Sequence, residues 1–193
     1  MISAIIMASG LSRRMGENKL LLKYKGSILA ERVFKSVKDM NFNEVIVVTH
    51  YEEIIRLSEE YGFKNIINKN AEVGQSESIK LGLNNAKDNR GYMFFVADQP
   101  FIDTNYLNKL VEEFKKDPEY IVIPRNGEKT GNPVIFPCSK KSDLLKLNND
   151  EKGKKVIAQS SKIKYVEVPK KMLLDIDTRE EYEKLGGSID EIN

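Results

Sequence analysis

The chain has 193 residues, 40% of them apolar, which suits one domain. Its net charge is +2, from 31 basic and 29 acidic residues, which argues against a broad electrostatic surface for nucleic acid. No apolar run is long enough to span a bilayer, and the start Met1-Ile2-Ser3-Ala4 lacks the charged head of a signal peptide. The lone cysteine, Cys138, cannot form an internal disulfide, so a cytoplasmic setting is expected.

The first predicted element is a short buried strand ending in Ile5-Ile6-Met7. It runs into the small residues Ala8, Ser9 and Gly10, where a backbone can approach a ligand, and then into Arg13, Arg14, Gly16 and Lys19. A small-residue loop carrying several cations after a strand is suited to a polyanion: its N–H groups can point at phosphate oxygens, and arginine offers forked donors. The glycine spacing fits neither a P-loop nor a dinucleotide fingerprint.

A helix is expected from Ser27, as its cap, to about Met40, then a strand at Glu44–Thr49 and a helix at Tyr51–Tyr61 stopped by Gly62. Lys64–Ile67 reads as a strand, Asn68–Gly74 as loop, and Ser76–Ala86 as helix. Tyr92–Ala97 is the most apolar strand and ends at Asp98-Gln99-Pro100. Further on come an amphipathic helix at Thr104–Lys116, strands at Tyr120–Pro124 and Pro133–Phe136 around a turn at Gly127, and a helical region from Lys140 to Ala158 with a break near Gly153. A strand at Ile163–Val168 precedes a last helix opened by Thr178, where Glu181 completes a capping box, and the tail after Gly186 is expected to fray. Alternation over the first 125 residues predicts an α/β fold, a Rossmann-like three-layer sandwich with a mostly parallel sheet. Ligands in such folds sit beyond the carboxyl ends of the strands.

Asp98 sits at the mouth of an apolar strand, where a carboxylate is paired, hydrogen-bonded or coordinating a metal; its plainer reading is a cap on the turn before Pro100. In Asp175-Ile176-Asp177, alternation puts both carboxylates on one side of an extended backbone, although Asp177 or Thr178 could simply cap the last helix. Two distant carboxylates meeting beside a cationic loop suit Mg²⁺ with phosphates, because magnesium takes one or two carboxylates and completes its shell with water and phosphate oxygens. Gly74-Gln75-Ser76 lies where a loop enters a helix: Gln75 offers donor and acceptor to a base edge, and Ser76 can cap. Gly131-Asn132-Pro133 reads as a turn, His50 and Cys138 as structural residues, and Lys152 to Lys155 as a solvated face.

Met7-Ala8-Ser9-Gly10-Leu11-Ser12-Arg13-Arg14-Met15-Gly16, with Lys19 three residues later, resembles the signature loop of the MobA-like nucleotidyltransferases. Gly74-Gln75-Ser76, Ala97-Asp98-Gln99-Pro100, Gly131-Asn132-Pro133-Val134, Asp150-Glu151-Lys152-Gly153 and Asp175-Ile176-Asp177-Thr178 follow in the family's order, and the pattern looks most like the molybdenum cofactor cytidylyltransferase branch. The resemblance implies one nucleotidyltransferase domain over 1–193 of the nucleotide-diphospho-sugar transferase type, with a nucleotide part about 1–100 and an acceptor part about 101–193. It implies Ala8, Ser9 and Gly10 near base and ribose, Gly74, Gln75 and Ser76 at the base, Arg14 and Lys19 on the triphosphate, and Mg²⁺ on Asp98 and Asp177. A phosphate on the acceptor would attack the α-phosphorus in line and release pyrophosphate, with catalysis by positioning and charge neutralisation. Ser9 stands where the cytidylyl branch has alanine and the guanylyl branch glycine. A side chain there should crowd a purine, which favours CTP and a molybdopterin-type acceptor. The other readings are a guanylyl- or other nucleotidyltransferase acting on a sugar or polyol phosphate, and a non-catalytic nucleotide- or cofactor-binding protein that delivers cofactor to a molybdoenzyme or works beside a cofactor chaperone.

Overall fold

The computed structural model describes residues 1–12 and 15–184. Arg13, Arg14 and the tail after Gly186 therefore lie outside the described residues. The elements in order are β1 (Ile2–Met7), β2 (Lys23–Tyr24), β3 (Ser27–Ile28), α1 (Leu29–Lys38), β4 (Glu44–Thr49), α2 (Glu52–Glu60), β5 (Lys64–Ile67), α3 (Gln75–Asn85) and β6 (Gly91–Val96). After them come α4 (Thr104–Lys116), β7 (Ile121–Asn126), β8 (Lys129–Thr130), β9 (Val134–Pro137), α5 (Lys141–Leu145), α6 (Gly153–Ala158), β10 (Ile163–Glu167) and α7 (Arg179–Lys184).

The main sheet runs β10-β7-β9-β6-β1-β4-β5, with β8 paired to β7. β1 pairs in parallel with both β4 and β6, β4 with β5, and β7 with β10. β9 runs against its sheet neighbours β6 and β7, and the short β8 runs against β7. The carboxyl ends of the parallel strands thus share one edge, and the Gly131-Asn132-Pro133 turn leading into β9 reaches the same edge.

The sheet is buried on both faces, which is why its strands read as continuous apolar runs. Ile6, Val47, Met93 and Phe95 join α1, α2 and α4 on one side. Ile5, Ile46, Val48 and Phe94 join α3, α5 and α6 on the other. This is the expected three-layer α/β sandwich. The close approach of α3 to β1 depends on Gly82, where a Cβ would stand 2.5 Å from Ile5 Cγ2.

Two local expectations change. Ser27 does not cap α1; it pairs with Tyr24 across a tight hairpin, and Ile28 precedes the helix with no side-chain cap. The hairpin is closed by Lys25 at φ 50° and Gly26 at φ 79°, the left-handed pair that a two-residue turn requires. The Asn68–Gly74 segment holds a single 3₁₀ turn at Ala71–Val73. The expected break in the Lys140–Ala158 region is present between α5 and α6, and Gly153 stands at its end as the first residue of α6, with the Phe136 ring 3.1 Å from where its Cβ would be. The capping box at Thr178 is present: Thr178 N donates to Glu181 Oε2 at 3.0 Å and Glu181 N to Thr178 Oγ1 at 3.2 Å. Among the described residues no helix is long and apolar enough to cross a membrane.

Candidate active site

The turn after β1 is fastened to the end of β4. Ala8 N donates to Val48 O at 2.8 Å, Ser9 Oγ to the same carbonyl at 3.0 Å, and Thr49 Oγ1 to Ala8 O at 2.8 Å. Tyr51 Oη donates to Gly10 O at 2.8 Å. Ala8 and Ser9 are buried and Gly10 is exposed, with nothing within 4 Å of where its Cβ would stand. The backbone therefore turns outward at Gly10. Sequence reasoning did not single out Thr49 or Tyr51; their only signal was their place at the carboxyl end of a parallel strand. His50, between them, tilts against the Tyr51 ring at 3.9 Å between centroids. Burial holds its pKa below the ordinary value, against an upward pull from Glu72.

Lys19 begins a 3₁₀ turn capped by Asn18, whose Oδ1 accepts from Leu20 N at 3.2 Å. Its own N–H donates to Ser12 Oγ at 3.2 Å. These bonds aim the side chain across the edge of the sheet. Its ammonium lies 2.6 Å from Asp98 Oδ2 and 2.6 Å from Asp177 Oδ1. The two aspartates thus converge, on the lysine. Burial alone would lower the Lys19 pKa, but the two carboxylates outweigh it and hold the ammonium above its usual range.

Backbone bonds bring the acids together. Ala97 N donates to Met7 O at 3.2 Å, which seats Asp98 beside the first loop. Ile176 N donates to Asp98 O at 3.2 Å, joining the two acidic segments directly. Ile176 is fully buried with Leu22, Tyr24, Leu29 and Tyr182. Its neighbours Asp175 and Asp177 therefore face the other way, as alternation predicts. Asp175 accepts from Gln99 Nε2. Burial, then the nearby Asp98 charge, push its pKa up, and the Gln99 bond only partly offsets them. The Gln99–Asp175 pair was not foreseen in the sequence.

The N-terminus of α3 is placed differently from Lys19. Gly74 has φ 110°, and a Cβ there would meet Asp150 Oδ1 at 2.5 Å, so the loop between α5 and α6 seats directly on it. Asp150 Oδ1 accepts from Gln75 N at 3.4 Å. Ser76 is fully buried, and its hydroxyl donates to Asn149 O. Gln75 stays half-buried with Nε2 3.6 Å from Met7 Sδ, on the wall of a cavity of about 210 Å³. Phe94, Ile123 and Phe136 line that cavity, and Asn132, Lys152 and Lys154 add polar groups. Lys152 and Lys154, expected on a solvated face, are exposed yet also border it. Cys138 is an exposed free thiol rather than a buried one.

The residues present fit a magnesium ion. Asp98 Oδ1 is buried and lacks a hydrogen-bond partner, which leaves a hard oxygen facing inward beside a second carboxylate. Among the described residues no group of three or more His, Cys, Asp or Glu side chains forms a complete cage. A two-carboxylate seat suits a cation that keeps water and phosphate oxygens in its shell.

Comparison with known proteins agrees with this geometry. Residues 4–164 match the profile of the MobA-like NTP transferase domain. A probable molybdenum cofactor guanylyltransferase of Clostridium perfringens is 31% identical over 201 residues, spanning 95% of each chain. One of Natranaerobius thermophilus is 34% identical over 125 residues, taking in 64% of this chain and 60% of that protein. The crystal structure of Rv0371c from Mycobacterium tuberculosis superposes with a TM-score of 0.83 at 21% identity over 97% of both chains, which is a likeness of fold. With its strand order, its loop after β1 and its paired aspartates in place, the chain belongs to the family of MobA-like NTP transferases.

Proposed function

We propose that this nucleotidyltransferase moves GMP from GTP to the terminal phosphate of a molybdopterin-type acceptor and releases pyrophosphate. The observation that carries the chemistry is the meeting of Lys19, Asp98 and Asp177 at the carboxyl edge of the sheet, beside the Ala8–Gly10 turn. The choice of guanylyl over cytidylyl rests on the names of the relatives, both probable guanylyltransferases. It replaces the pyrimidine preference read from Ser9.

Asp98 and Asp177 would hold Mg²⁺, which supplies charge neutralisation and a template for the phosphates. Ala8, Ser9 and Gly10 offer the backbone surface for base and ribose, and Gln75 can reach a base edge or the acceptor from the cavity wall. Lys19 serves the triphosphate, and the family resemblance gives Arg14 the same duty. A phosphate monoester is already nucleophilic, so the site needs no dedicated base; positioning and charge neutralisation suffice. Residues 1–100 form the nucleotide half in this reading. Residues 101–193 form the acceptor half, with the apolar cavity available to a flat ring and Asp177 returned to the metal. A cytoplasmic setting and transient delivery to a molybdoenzyme or cofactor chaperone go with it.

A second reading, CTP as donor, is favoured by Ser9 and, through the family resemblance, by Gly74-Gln75-Ser76. The residue is 6% exposed and its hydroxyl is bonded to Val48 O, so a methylene fills space that glycine would leave open. The test is pyrophosphate release from each of the four triphosphates with Mg²⁺ and molybdopterin. GTP is expected to turn over fastest. Turnover with CTP alone defeats the guanylyl assignment, and binding without turnover for every donor returns the protein to the class of delivery modules.

A further inference from the structure

A second cavity, of about 270 Å³, lies where the turn between β2 and β3 and the helix α1 meet the segment after Asp98. Lys25, Arg32 and Lys35 line it, and no acidic side chain does. Lys35 is matched: it lies 2.9 Å from Glu31 Oε1, which also accepts from Tyr61 Oη at 3.2 Å. Asp103, next in the chain to the lining residue Ile102, is engaged at the start of α4, where it accepts from Asn105 N at 2.8 Å. Lys25 and Arg32 have no carboxylate partner among the described residues. Both rest instead on the ring of Tyr24, with Lys25 Nζ 5.6 Å and Arg32 Cζ 5.2 Å from its centroid. One ring thus holds two like charges, whose repulsion a neighbouring anion would relieve.

The wall of the cavity gives a second, independent sign. Ser27 is 8% exposed and lines the cavity, and its hydroxyl has no hydrogen-bond partner among the described residues. A nearly buried hydroxyl without a partner is an unmet donor. Arg32 is underused in the same way. Its Nε donates to Pro100 O at 3.2 Å, which occupies one of the five N–H donors of the guanidinium. Ser36 Oγ ties Arg32 O at 3.2 Å to Ile102 O at 3.0 Å, so the helix and the loop wall are already joined around the space.

We propose that this cavity is an anion site, separate from the nucleotide site, for one phosphate group, either the free ion or the phosphoryl end of a small metabolite. The Arg32 fork takes phosphate oxygens, the Ser27 hydroxyl donates to another, and Lys25 adds charge. A concave, hydroxyl-bearing space suits a compact oxyanion better than the flat acidic face of a protein. Because Nε stays on Pro100 O, a bound phosphate fastens α1 to the segment that carries Asp98.

The test is a titration of the whole chain with inorganic phosphate, at constant ionic strength and without nucleotide, followed by amide chemical shifts. The amides of Gly26, Ser27 and Ser36 are expected to move together. Arg32→Gln should weaken that response about tenfold and Lys25→Gln about threefold. Should Arg32→Gln fail to fold, Lys25→Gln, at an exposed turn, decides on the same criterion. Glycerol 3-phosphate separates the sources: tighter binding than phosphate assigns a phosphorylated metabolite, equal binding assigns the free ion, and either sustains the site. Shifts confined to Ala8–Gly10 and Lys19, or none at all, overturn the proposal; the first of these leaves the nucleotide reading standing. An equal response to chloride, a response unchanged in both variants, or tighter binding of an oligoglutamate peptide overturns it as well.

Discussion

Replacing Asp98 by Asn separates a charged site from a turn cap. Asparagine keeps the shape and can still cap the turn before Pro100, so a purely local role predicts little change. In the structure, however, the substitution removes one of the two carboxylates bonded to a buried ammonium at 2.6 Å. Lys19 keeps Asp177, so the loss falls short of the 3–5 kcal/mol for stranding a buried charge. The charged hydrogen-bond range applies instead, about 1.5–3 kcal/mol, towards its lower end because the Asp98 side chain is 21% exposed. For a chain of this length that is about 3–8 °C in midpoint. Asp177→Asn should cost less, since its side chain is 41% exposed. Both variants should lose pyrophosphate release by orders of magnitude while keeping the circular dichroism of the parent. Thermal melts and a coupled pyrophosphate assay at pH 7.5 read the two effects separately. An Asp98→Asn protein that melts within a degree of the parent and turns over normally would refute the reasoning.

Three further outcomes follow from contacts elsewhere. Gly82→Ala should destabilise by about 1–3 kcal/mol, because its methyl would press on Ile5 in a core with no slack; chemical denaturation measures it. Tyr51→Phe should raise the KM for the nucleotide about two- to tenfold with kcat little changed, through loss of the hydroxyl that holds Gly10 O; steady-state kinetics decides. Asp175→Asn should raise the melting midpoint at pH 7.5. A carboxyl whose folded pKa is raised stabilises less as pH climbs from its unfolded value of about 3.9 through the folded one, so the variant's advantage should vanish on acidification towards pH 4.

The sheet was legible because its strands are short apolar blocks separated by polar turns, and Glu44–Thr49 and Lys64–Ile67 fall at the expected residues. The approach of Asp98 and Asp177 to each other beside the first loop was legible too, because a parallel topology puts loops after strands on one edge; the Lys19 bridge between them was not, since Lys19 was expected on the triphosphate. The Ser27 cap failed for a tertiary reason: a helix cap and a hairpin residue look alike locally, and the Lys25-Gly26 turn decided between them. The Thr49 and Tyr51 bonds to the first loop were hidden because hydroxyls give no pattern along a strand. Asp150 on Gly74 was hidden because the contact joins residues that sequence does not bring near each other. For the same reason the buried hydroxyl of Ser76, joined to Asn149, gave no local sign of its partner.

The Lys19–Asp177 contact joins residues 158 positions apart, and Asp177 follows every strand of the main sheet among the described residues. A nascent chain halted before that point can complete the sheet yet carries a lysine with one aspartate and nothing to complete the pair. Only a chain that runs past Asp177 therefore assembles the Lys19, Asp98 and Asp177 cluster.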